Sequence, residues 1–86
     1  MKIEFIGPAV PADDGGISFR AKVDGQTVAC KFSMEALQDV NPSLTMVAPI
    51  EQFEASQGVL LAIAEKKIRA GEVENGVVRV FTQDLS

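Results

Sequence analysis

Apolar and polar residues alternate most regularly between Ile17 and Phe32. The segment ISFRAKVDGQTVACKF holds two such runs on either side of Asp24-Gly25, a pair suited to a two-residue turn with positive φ at both central positions. That turn pairs Val23 with Gln26, Ala21 with Val28, Phe19 with Cys30 and Ile17 with Phe32, so all but Gln26 are apolar. The intervening pairs are Lys22 with Thr27, Arg20 with Ala29 and Ser18 with Lys31. One register therefore segregates the two faces, and a slip by one residue would bury the lysines. A lone hairpin is marginal in water, so its apolar face needs a cover.

The remaining pattern supplies that cover. Lys2 to Ile6 alternates as a short strand with Ile3 and Phe5 on one side, ended by Gly7-Pro8. Pro8 to Gly16 is rich in turn formers and reads as a surface loop. Ser33 is a fitting N-cap for a short helix, SMEALQDV, with Met34, Leu37 and Val40 available to the core, and Asn41-Pro42 stops it. Pro42 to Ala48 is an apolar connector with room for a turn of helix. A longer helix follows from Ile50 to Ala70, with Pro49 at its entrance and a stripe at Ile50, Phe53, Gln57, Leu60, Leu61, Ala64 and Ile68. Gln57 interrupts the stripe, and Gly58 asks either for a closely packed neighbour or for a bend. Lys66, Lys67 and Arg69 suit the carboxyl end of the dipole, Gly71 terminates the helix, and Asn75-Gly76 turns the chain into a last strand, Val77 to Thr82. The predicted order is β-β-β-α-α-β: a single α+β domain over residues 1–86, with an antiparallel or mixed four-stranded sheet and two helices packed on one face.

The VDGQTVACKFS turn and strand, the EALQD helix and the Phe53 to Gly71 segment ending in AEKKIRAG resemble the bacterial family catalogued as domain of unknown function 1488. The resemblance covers nearly the whole chain. It implies an α+β fold and a similar length, and it brings no established activity, catalytic set or cofactor. After the ALQD piece the family pattern has a histidine and an aromatic where this chain has Val40 and Asn41. A site built on that histidine does not transfer.

Composition narrows the chemistry. At 86 residues and 9.2 kDa the chain buries roughly 63 percent of its unfolded surface, a thin core that a homodimer would extend. The net charge of −4 disfavours general adhesion to nucleic acid or anionic membrane unless the cations are segregated. A single cysteine excludes an internal disulfide, and neither an amino-terminal signal region nor a membrane-spanning run is evident, which makes the cytoplasm the expected compartment. Histidine, tyrosine and tryptophan are absent, removing the usual neutral-pH acid and base. Cys30 lies on the buried face opposite Phe19, Ser33 reads as a cap with no base in sight, and Asp13-Asp14 reads as a solvated turn rather than a metal site. Gly15-Gly16 is too short to mark a phosphate loop. No catalytic, cofactor-binding or metal-binding residue is assigned, and the chain is read as non-enzymatic; carboxylate or lysine chemistry in a pocket is the remaining enzymatic alternative.

One feature exceeds this background. The strand parities place Lys2, Arg20, Lys22, Lys31 and Arg79 on the sheet face away from the helices, opposed by little more than Glu4. That face could meet an anionic partner. Ordinary antiparallel sheets also turn charged residues to water, and no aromatic except Phe81 is placed to stack bases there. The expected role is an interaction or regulatory module working through a protein partner, with a homodimer compatible with the small core; nucleic-acid or anion binding by the basic face is the alternative.

Overall fold

The computed structural model describes residues 1–44 and 46–85. Thr45, in the middle of the apolar connector, and Ser86 lie outside the described residues. The strands are β1 (Ile3–Phe5), β2 (Val10–Pro11), β3 (Ile17–Val23), β4 (Gln26–Phe32) and β5 (Val77–Val80). Three helices, α1 (Met34–Val40), α2 (Pro49–Ala55) and α3 (Gln57–Arg69), lie in sequence between β4 and β5. Short 3-10 turns occupy Pro42–Leu44 and Thr82–Leu85.

The hairpin forms with the expected register throughout, from Ile17 opposite Phe32 to Val23 opposite Gln26. Asp24 and Gly25 both have positive φ, 51° and 87°, as a two-residue turn that follows the twist of the strands requires. β1 pairs antiparallel with β3, with Glu4 opposite Lys22, and β5 runs parallel to β4, with Lys31 opposite Arg79. The sheet is therefore mixed and largely antiparallel, ordered β1-β3-β4-β5, with β2 also bonded to β3. β1 and β2 share one edge of β3. Between them the Gly7-Pro8 peptide is cis, and the Ile6 and Gly7 N–H groups both donate to the Arg20 carbonyl, which makes a bulge.

One face of the sheet carries the core. Ile17, Phe19, Ala21, Val28, Cys30, Phe32, Val78 and Val80 meet Leu37, Phe53, Leu60, Ala64 and Ile68 from the helices. Phe53 anchors α2 between two sheet aromatics, its ring centroid 5.4 Å from that of Phe19 and 5.2 Å from that of Phe32. Phe5 extends the cluster through Phe19 at 6.5 Å. Ser33 caps α1, its hydroxyl accepting from the Ala36 N–H at 3.1 Å.

Four details depart from the sequence expectation. The Pro8–Gly16 loop contains β2, because the Ala12 N–H reaches the Gly16 carbonyl and closes the segment back onto β3. The helix expected over Ile50–Ala70 is two helices meeting at Ser56, whose φ of −123° and ψ of 20° leave the helical region. No atom lies within 4 Å of a Cβ built on Gly58, so close packing does not explain that glycine; the chain bends just before it, and Gln57 turns to solvent. Met34 is exposed, and Ala36 takes the buried place beside Leu37. The last strand stops at Val80 rather than Thr82, because the Phe81 N–H donates to the Asp84 carboxylate and starts the terminal 3-10 turn.

Candidate binding face

The sheet has a second face, turned away from the helices, and its register can be read strand by strand. One row across it runs Val10, Ser18, Lys31, Arg79; the next runs Arg20, Ala29, Val77; the third runs Glu4, Lys22, Thr27. The predicted cations Arg20, Lys22, Lys31 and Arg79 therefore share this face. Lys2, one residue before β1, lies at its corner: its N–H donates to the Asp24 carboxylate at 2.9 Å, and its ammonium pairs with Glu4 at 3.3 Å.

These cations have unequal surroundings. Glu4 lies between Lys2 and Lys22 and offers its charge to both. Arg20 is pinned over the bulge, its Nη2 donating to the Gly7 carbonyl at 3.2 Å. Lys31 and Arg79 are direct neighbours on adjacent strands, and neither belongs to an ion pair among the described residues. Like charges placed directly opposite one another destabilise a strand pair. Lys31 is also half-buried, so part of its hydration is already lost.

The sequence reading missed the apolar part of this face. Ile6 is 51% exposed and Val10 44%, and across β3 from them Ala29 and Val77 are half-buried. Ile6 shares the parity of Lys2 and Glu4, a signal that was available; Val10 was hidden by its assignment to a loop. The other four phenylalanines are in the core or packed against it, leaving only Phe81, 44% exposed beyond the end of β5, as a surface aromatic near this face.

The groups with catalytic potential lie elsewhere. Cys30 is fully buried on the helix side of β4, and burial pushes its thiol from 9.0 up to about 11. The Asp84 carboxyl is displaced from its ordinary value. Burial raises it, but hydrogen bonds from Lys67 and the Phe81 N–H, with the Lys67 charge, outweigh that and hold it below its ordinary value. Lys67 donates to both the Arg79 carbonyl at 2.6 Å and Asp84 at 2.8 Å, so this pair closes the outer edge of β5, where Lys67 also lines an open pocket with Glu72, Glu74, Arg79 and Phe81. Asp13 and Asp14 are exposed, with Asp14 accepting from the Gly16 N–H in its own turn. Among the described residues no three acidic, cysteine or histidine side chains gather as a metal site would require. Among the described residues no helix is long and apolar enough to cross a membrane.

The same arrangement of strands and helices occurs in a solved structure. A crystal structure of a protein of unknown function from the DUF1488 family of Shewanella loihica superposes with a TM-score of 0.80, covering 91% of this chain and 90% of that one at 19% identity. No curated protein matches the sequence. The family model described as a protein of unknown function, DUF1488, matches residues 3–79, which take in all five strands except the final residue of β5, and all three helices. The chain belongs to the DUF1488 family.

Proposed function

We propose that the protein is a cytoplasmic, non-enzymatic binding module that docks an acidic, partly apolar segment of another protein on the outer face of its sheet. The observation that carries this reading is the Lys31–Arg79 pair: two adjacent cations, without a carboxylate partner among the described residues, with half-buried Ala29 and Val77 two residues along the same strands. An incoming carboxylate would relieve the repulsion between them and gain two charge-assisted contacts. Ala29 and Val77 beside the pair, with Val10 and Ile6 beyond Ser18 and Arg20, give such a segment an interrupted apolar strip to cover.

The strip favours a protein partner over a nucleic acid. A phosphate backbone rewards cations alone, and a single strand rewards stacking aromatics, which this face lacks apart from Phe81 at its margin. The buried, high-pKa thiol and the surface location of the carboxylates support a non-enzymatic role.

Amide NMR titration tests the reading. A peptide alternating glutamate with leucine should shift Ser18, Lys31, Val77 and Arg79, and Lys31→Glu/Arg79→Glu should abolish the response. Oligonucleotides should produce weaker shifts that vanish with added salt. Tighter oligonucleotide binding that depends on the same two cations would transfer the face to nucleic acid. No response to either probe would leave it an ordinary solvated surface.

A further inference from the structure

The edges of the sheet are treated unequally. On β5, bonds from Ala29 N–H to the Gly76 carbonyl and from Ser33 N–H to the Val80 carbonyl show which backbone groups face β4; those of Val77, Arg79 and Phe81 face outward. Most of those outward groups are occupied. Val77 and Glu74 exchange both backbone bonds, Lys67 donates to the Arg79 carbonyl, and Asp84 accepts from the Phe81 N–H. On β2 the outward position is Pro11, which has no N–H to offer.

β1 is left open. The Ile6 N–H donates to Arg20 and the Asp24 N–H to the Lys2 carbonyl, so Lys2, Glu4 and Ile6 turn their backbone groups to β3. Ile3 and Phe5 turn theirs away from the sheet, and among the described residues nothing bonds to them there. Their side chains are only half-buried at the margin of the core.

We infer that β1 is a self-association edge, and that two copies of this chain pair antiparallel through it about a two-fold axis at Ile3. The side chains select both partner and register. With Ile3 opposite the partner's Ile3, Lys2 falls opposite Glu4 on the outer face, twice by symmetry, and Met1 falls opposite Phe5 on the helix side. Centring on Glu4 instead would oppose two glutamates. Ile3 and Phe5 then donate across the seam, and the Lys2–Glu4 pairs occupy the non-hydrogen-bonded positions, where Cα atoms approach to about 4.5 Å. An axis perpendicular to the sheet keeps all helices on one side. Both outer faces join into one surface, yet the pairing uses residues distinct from Lys31 and Arg79 and stands whether or not that face binds a partner.

Sedimentation equilibrium of the full chain across a wide concentration range tests the inference, together with hydrogen exchange at low and high concentration. The mass should rise from that of one chain toward that of two. The Ile3 and Phe5 amides should gain protection as it does, while the Glu4 amide, already bonded to β3, stays protected throughout. Lys2→Glu should weaken association about tenfold by turning two attractive pairs into repulsive ones, and Lys2→Glu/Glu4→Lys should restore it. Lys2 is exposed, so these variants leave the core intact. A monomer at every concentration would overturn the inference. So would a dimer indifferent to Lys2→Glu, or one in which Ile3 and Phe5 exchange at unchanged rates.

Discussion

Glycines 16 and 58 illustrate how differently the same residue type is used. A Cβ on Gly16 would stand 2.0 Å from the Phe32 carbonyl oxygen, where β3 begins against the end of β4. Gly16→Ala should therefore cost about 1–3 kcal/mol in chemical denaturation. A Cβ on Gly58 meets nothing within 4 Å and sits in α3, so Gly58→Ala should stabilise by about 0.5 kcal/mol in the same measurement. Cys30 yields a prediction in pH. A thiol is neutral when protonated, and the native state keeps that proton to about pH 11, whereas an ordinary thiol releases it near 9.0. The thiol's contribution should be constant below pH 9 and fall as the pH rises toward 11, by about 2–3 kcal/mol in full. Cys30→Ala should remove that slope while lowering stability at neutral pH.

The elements differ in how openly the residues announce them. The hairpin is written locally: Asp24-Gly25 sets the turn, and period-two alternation on both sides sets the register. The break between α2 and α3 is only half legible: Gln57 interrupts the apolar stripe and Gly58 admits a bend, but apolar residues resume at helical spacing from Leu60, so periodicity joins the helices. The parallel docking of β5 on β4 is concealed for another reason. No turn links those strands, and the three helices between them carry the register. The edge lock on β5 likewise joins Lys67 and Asp84, which are 17 residues apart and meet only once α3 and the terminal 3-10 turn are in place. Asp84→Asn should loosen that turn and cost about 1 kcal/mol. Because the native carboxyl titrates lower than the unfolded one, this contribution is present above the ordinary aspartate range and lost as the pH falls through the native value. Denaturation of wild type and Asp84→Asn should therefore converge in acid.

For the whole molecule, the fold class, the hairpin and the cationic face could be read from residue order. The mixed nature of the candidate face could not, since it depends on Val10 forming β2 and on β5 bringing Arg79 beside Lys31. Under the proposed function, that juxtaposition sets stability against binding. Arg79→Glu replaces a repulsive neighbour of Lys31 with an attractive one and should raise stability by about 0.2–1 kcal/mol. The same change should eliminate the response to an acidic peptide in NMR titration. A variant that is more stable and still binds would detach recognition from the Lys31–Arg79 pair.

The position of all three helices between β4 and β5 bears on how the chain emerges from the ribosome. The hairpin can close as soon as Phe32 leaves the exit tunnel, whereas the strand beside it is made 45 residues later. Throughout that interval the nascent chain displays the bare flank of β4, with the backbone groups of Ala29, Lys31 and Ser33 that will meet β5 still open to neighbouring chains. Translation speed across the helical region thus governs how long each new copy stays vulnerable to mispairing before Val77–Val80 seals it.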